Sequence, residues 1–196
     1  MSHSRVDFYS DSAWRLLLWP LSLLFRLLTA IRRRLQQGSA RPPQPRVPVI
    51  IVGNITLGGT GKTPLLIQLA KYLRKQGFKP GVVSRGYGAK TTTFPLQVSA
   101  KTTTESAGDE AVLIARESAC PVVIDPDRTA ALDYLLQHHE VDVVLSDDGL
   151  QHYKLYRDLE IAVVDGQRLF GNELCLPAGP LREPLSRLQE VDCIVV

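Results

Sequence analysis

An apolar run over residues 47–52 ends in a glycine-rich turn, Gly53-Asn-Ile-Thr-Leu-Gly-Gly-Thr-Gly-Lys-Thr63, followed by leucines at helical spacing. No other segment constrains the fold as tightly. Val and Ile bounded by glycine read as a buried strand, and Leu65, Leu66, Leu69 and Leu73 place one apolar face on a helix over 64–76. Pro64 suits a first helical turn, where a missing N–H costs no hydrogen bond. Together these parts form a phosphate cradle: glycines let successive backbone N–H groups converge on phosphate oxygens, and the helix aims its positive end at the same point. In such a cradle Thr56, Leu57, Gly58, Gly59, Thr60 and Gly61 wrap the phosphates, Lys62 reaches the outer ones, and the Thr63 hydroxyl ligates Mg²⁺. The expected ligand is therefore ATP with Mg²⁺. The pattern departs from G-x-x-x-x-G-K-[ST] at its first glycine, where Thr56 stands, and Gly58 and Gly59 supply the flexibility instead. The plainer alternative is a glycine turn before an ordinary helix. Lys62 and Thr63 in register behind a strand favour the cradle.

Downstream, short strands are expected at 80–84, 93–98, 122–125, 141–146, 159–164 and 193–196, with helices at 109–118 and 128–139. Strands alternating with helices imply an α/β fold with a mainly parallel, doubly wound sheet of the P-loop NTPase kind, its active site at the strands' carboxyl ends. At 196 residues, 44% of them hydrophobic, the chain can bury such a core. No internal repeat is visible.

Four constellations fall where that site would lie. The apolar run 141–146 delivers Asp147 and Asp148 into Gly149, followed by Gln151 and His152. A strand-end aspartate is how P-loop proteins hold Mg²⁺, although aspartates also favour turns before glycine. Asp109 opens a helix behind Gly108, as an N-terminal carboxylate or as a catalytic group. Arg85 and Tyr87 follow a strand end, suited to an anionic or sugar-bearing substrate, or forming a solvated turn. Arg182 and Glu183 sit in a proline-fenced loop over 177–184, facing a nucleotide or metal or merely making a rigid connection. His138 and His139, near a helix end, carry no assigned chemistry.

The basic charge is segregated. Residues 1–46 carry eight Arg, no Lys and two Asp, whereas 47–196 hold fifteen basic and eighteen acidic groups, which argues against a nucleic-acid groove across the body. The N-terminal segment is strongly apolar, but only 16–25 runs without a charge, about half of a membrane span. It is expected to lie on or in one leaflet, with Trp14 and Trp19 at the headgroup boundary and Arg32, Arg33 and Arg34 on anionic lipid. A helix packed on the body's own core is the alternative. Arg26 and the Arg triplet stand where a signal peptide would be cleaved. The division expected is a membrane-associated helical segment over 1–37, a Pro-rich linker over 38–46 and the catalytic body over 47–196. Cys120, Cys175 and Cys193, without a C-x-x-C pair, read as buried free thiols of a reducing compartment.

In their order and wording, residues 53–64, 84–88, 108–110, 147–152 and 176–184 closely resemble the tetraacyldisaccharide 4'-kinase family of lipid A biosynthesis. The resemblance implies a peripheral or monotopic enzyme on the cytoplasmic face of the bacterial inner membrane. Such an enzyme moves the γ-phosphate of ATP onto the 4'-hydroxyl of a lipid A disaccharide 1-phosphate, with the membrane surface as its other partner and no obligate protein partner. It implies that Lys62 and Thr63 serve triphosphate and Mg²⁺, that Asp147, Asp148 and Glu183 are metal or active-site carboxylates, that Asp109 helps deprotonate the sugar hydroxyl, and that His152 shares the pocket. A loose transition state needs little early proton removal, so orientation and Mg²⁺ supply most of the catalysis. Family members continue past position 196 into a second α/β lobe, so a fragment or a truncated product is expected, and a fragment should expose the apolar seam meant for that lobe. The rival is a membrane-associated ATPase switch, a class that commonly carries lysine before its paired glycines, where this chain has Leu57.

Overall fold

The computed structural model describes residues 14–38 and 44–196, with side chains from residue 17 onward in the first stretch. The expectations for residues 1–13, for the Trp14 side chain and for linker residues 39–43 lie outside the described residues. In chain order the elements are α1 (Trp14–Gly38), β1 (Val49–Gly53), α2 (Lys62–Lys75), β2 (Pro80–Ser84), β3 (Leu96–Val98), α3 (Thr104–Ala107), α4 (Asp109–Ser118), β4 (Val122–Ile124), α5 (Arg128–His138), β5 (Val143–Asp147), β6 (Leu159–Val163), a 3₁₀ turn (Leu185–Gln189) and β7 (Cys193–Val195).

The strands form one sheet in the order β3-β4-β2-β5-β1-β6-β7. Every pairing is parallel except that of β3 with β4. The doubly wound α/β expectation holds, with an antiparallel edge.

Alternation along the central strands divides the core. Val49 and Ile51 of β1 and Val144 of β5 face Leu132 and Leu135 of α5, while Val52 and Leu145 face Leu66, Ile67 and Ala70 of α2 and Ile114 of α4. Each such side chain removed from water contributes about 1.5–3 kcal/mol, which holds β1 and β5 rigidly at the centre. α2 begins two residues before the expected start, so Lys62 and Thr63 belong to its first turn; its buried stripe is centred on Leu66, Ile67 and Ala70, with Leu65, Leu69 and Leu73 partly buried beside it. It stops at Gly77, whose φ of 89° supplies the left-handed exit, behind Arg74 and Lys75 at the negative end of the dipole.

α1 is both docked and exposed. Ser22 donates to the Cys175 carbonyl at 2.8 Å, Phe25 packs on the α5-side core, and Arg33 pairs with Glu190. The opposite stripe, Leu17, Leu21, Leu24, Leu28, Ile31 and Leu35, is exposed at three- and four-residue spacing. No helix among the described residues is long and apolar enough to cross a membrane. Cys120 and Cys175 are buried free thiols as expected; Cys193 is exposed, because it lies on the edge strand β7.

Candidate nucleotide-binding site

β1 and β5 are neighbours in parallel register, with Val52 opposite Asp147, so the glycine turn after β1 and the aspartates ending β5 leave the sheet side by side. The turn reaches α2 through Gly61, whose φ of 84° is left-handed and favours glycine. Lys62 then points back along the site. Its Nζ lies 3.1 Å from Asn54 Oδ1 and 3.4 Å from Asp148 Oδ1, with the side chain 12% exposed. Thr63 is half-buried in the same turn, and the Thr60 hydroxyl is buried without a hydrogen-bond partner.

The proline-fenced segment is part of the same site. Leu57 N donates to the Pro180 carbonyl at 2.8 Å, Arg182 N donates to the Ile55 carbonyl at 2.7 Å, and Thr56 pairs antiparallel with Leu181. Arg182 Nη1 reaches Asp148 Oδ2 at 3.0 Å. Glu183 is buried, with one carboxylate oxygen taken by the Tyr153 hydroxyl and the other by Gln151 Nε2 at 2.8 Å.

The two aspartates differ in electrostatics. Asp147 is 2% exposed, and burial, with the charges of Glu110 and Asp148, pushes its carboxyl up to about 6 against the pull of Lys62 and Arg128. Its Oδ2 accepts from Ser84 at 3.3 Å, and its Oδ1 is buried without a partner. Asp148 is also opposed by burial, but Lys62 and Arg182 outweigh it and hold the carboxyl below its usual value. Asp148 adopts a φ of 47°, a left-handed conformation costing of order 1 kcal/mol that aspartate tolerates better than most residues. His152 Nε2 stands 3.8 Å from Asp127 Oδ1. Burial and the nearby Arg128 push His152 down to about 4, so the ring is neutral at pH 7.

Asp109 is exposed at the first position of α4, and the Glu110 charge felt by Asp147 shows that this helix start faces the end of β5. Arg85 and Tyr87 are exposed on the loop after β2, which lies against Gly108. The structure therefore groups Lys62, Asp148 and Arg182 in direct contact, with Asp147 beside them, and leaves Asp109, Arg85 and Tyr87 solvent-facing.

Two participants escape a reading of the sequence. Arg128, 5% exposed, donates from Nη2 to the carbonyls of Asp147 and Asp148, each at 2.9 Å, and so clamps the carboxylate turn. Its signal is a cation at the first position of a helix, where the dipole disfavours it unless carbonyls compensate. Asn54, fully buried, orients Lys62; it stands in the glycine turn with nothing to mark it as more than a turn residue.

A phosphate-binding turn between a central strand and a helix, with its lysine against carboxylates ending the adjacent strand, defines a P-loop protein of the nucleotide-handling class. The sequence profile of LpxK, tetraacyldisaccharide-1-P 4'-kinase, matches residues 14–196. The chain belongs to this family. It is 53% identical over 188 residues to a tetraacyldisaccharide 4'-kinase of Aeromonas salmonicida, covering 95% of this chain and 57% of the relative. It is 55% identical over 188 residues to one of Nitrosococcus oceani, covering 95% and 56%. The crystal structure of an "apo" form LpxK from Aquifex aeolicus in complex with ATP superposes with a TM-score of 0.81 at 35% identity, over 92% of this chain and 58% of that one. The chain thus spans a little over half the length of these relatives.

Proposed function

We propose that this chain is the nucleotide-binding part of an ATP-dependent lipid kinase, which transfers the γ-phosphate of ATP to the 4'-hydroxyl of a tetraacyldisaccharide 1-phosphate in lipid A biosynthesis. The observation carrying the proposal is the meeting of Lys62 with Asp148, beside Asp147, at the carboxyl ends of neighbouring parallel strands. Membership of the family, and the ATP held by the Aquifex aeolicus relative, support it.

In this reading the loop amides over 56–61 receive the phosphates, and Lys62 exchanges its contact with Asp148 for phosphate oxygens. The buried Asp147 Oδ1 accepts no hydrogen bond, which fits a cation. Thr63, Asp147 and Asp148 would hold Mg²⁺, with Glu183 braced close by on Gln151. When bound, Mg²⁺ supplies neutralising charge to the transferring phosphoryl group. Arg128 keeps the carboxylate turn in place, and Asp109 stands ready to accept the proton of the sugar hydroxyl. Arg85, Tyr87 and Arg182 are assigned to the anionic sugar substrate.

The exposed apolar stripe of α1 supports residence on the cytoplasmic face of the inner membrane, where a multiply acylated substrate lies. Arg32 and Arg34 remain exposed for anionic lipid, whereas Arg33 turns inward. The test is transfer of labelled γ-phosphate from Mg²⁺-ATP to the disaccharide 1-phosphate in detergent micelles, by this chain and by a version extended to the relatives' length. Label should appear on lipid with the extended protein and disappear with Lys62→Ala. ATP hydrolysis without labelled lipid would instead move the ATPase-switch reading to first place.

A further inference from the structure

A chain of polar contacts runs from α1 to the phosphate loop, and nothing in the kinase reading requires it. At the outer end Arg33 of α1 pairs with Glu190 and lies over the Tyr153 ring, its Cζ 4.9 Å from the centroid. Arg157 and Arg187 approach the same ring at 5.1 and 5.7 Å. Tyr153 is 9% exposed, and its hydroxyl is a junction: it accepts from Arg187 Nε at 3.2 Å and donates to Glu183. The other Glu183 oxygen accepts from Gln151 Nε2, and the same Nε2 donates to the Asn54 carbonyl at 3.0 Å. Asn54 in turn holds Lys62. Arg187, 2% exposed, is fixed from behind by Glu160 at 2.6 Å. The inner links, Tyr153, Glu183, Arg187 and Asn54, are buried, so displacing Tyr153 leaves a buried acceptor unpaired rather than merely slack.

We propose that Tyr153 is a positioning residue for the nucleotide site: held by Arg33 of α1 and by Arg187, it fixes Glu183 and Gln151, which brace the entrance of the phosphate loop at Asn54. The membrane-facing helix is then part of the support of the ATP site. The proposal rests on the P-loop reading above. Removing the Tyr153 hydroxyl frees Glu183 and loosens the Asn54 carbonyl, and the loop must be reordered when phosphate binds. Mg²⁺-ATP affinity therefore falls without loss of the fold.

The experiment is titration calorimetry of Mg²⁺-ATP with the wild-type chain, Tyr153→Phe, Arg33→Ala, the double variant, and Tyr156→Phe as a control on the same surface, with melting temperatures alongside. Tyr153→Phe and Arg33→Ala should each raise Kd by about 5- to 20-fold. The double variant should be no weaker than Tyr153→Phe alone, because both remove the same brace. Tyr156→Phe should stay within about two-fold of wild type. Arg33, partly exposed on α1, keeps the test open should the Phe variant not fold. Affinities of both single variants within about two-fold of wild type, or effects that multiply in the double variant, overturn the proposal and leave the P-loop reading standing. A wild-type chain that binds no Mg²⁺-ATP removes both.

Discussion

Asp147→Asn is expected to make the protein more stable at neutral pH while abolishing the proposed phosphoryl transfer. Asp147 normally titrates at 3.8, and burial with its acidic neighbours raises it to about 6 in the folded chain. Between those values the unfolded chain has released its proton and the folded chain has kept it. Stability from this group is therefore complete below pH 3.8 and is lost as pH rises through about 6. Every tenfold difference in proton affinity between the folded and unfolded chains corresponds to about 1.4 kcal/mol, so the ionised carboxylate costs the fold about 3 kcal/mol above that window. Asparagine keeps the oxygen that accepts from Ser84 and removes the charge. His152 tilts the other way: held down to about 4 from 6.5, it contributes stability that is lost as pH falls across that interval. The two slopes oppose each other, so a wild-type pH profile conceals both, and only the difference between Asp147→Asn and wild type isolates the carboxylate. Urea unfolding at about pH 4, 6 and 8 should show that difference near zero at the lowest pH and about 2–3 kcal/mol in favour of the variant at the highest. A variant less stable than wild type at the highest pH, or a difference independent of pH, would mean that burial does not oppose the charge on Asp147. Mg²⁺ should narrow the gap by stabilising only the wild type.

Gly108 tests the joint between the Tyr87 loop and the helix that carries Asp109. It adopts φ 84° and ψ 154°, and a Cβ there would lie 2.1 Å from the Tyr87 carbonyl oxygen, so Gly108→Ala should destabilise by about 3 kcal/mol and displace either the Tyr87 loop or the start of α4. A loss under about 1 kcal/mol in urea unfolding would contradict this placement. If the exposed stripe of α1 is the proposed membrane face, Leu24→Asp with Leu28→Asp should cut sedimentation with anionic vesicles by at least about ten-fold while leaving the melting temperature unchanged. Undiminished vesicle binding would count against α1 as the docking surface.

The glycine turn, the strands around it and the Asp147–Asp148 pair were legible in the sequence because their physics is local. Period-two and helical apolar spacing report burial directly, and glycines closely followed by Lys62 and Thr63 permit the tight turn that a phosphate loop requires. The edges were less legible. Residues 93–95 do not join β3, and α3 and the 3₁₀ turn over Leu185–Gln189 were not anticipated, since elements of three to five residues carry too few positions to show a period.

Local pattern was therefore enough for a phosphate loop behind a buried strand, an α/β body and an apolar N-terminal helical segment. Which distant side chains meet was settled only by the packed chain: that 177–184 pairs with the phosphate loop, that Arg128 clamps the carboxylate turn, that Arg33 leaves its triplet to cover Tyr153, and that Asp147 rather than Asp148 carries the raised pKa. Those outcomes depend on burial and on charges brought together from residues far apart in the chain. No local pattern encodes them, because desolvation and Coulomb interactions act through space and not along the sequence.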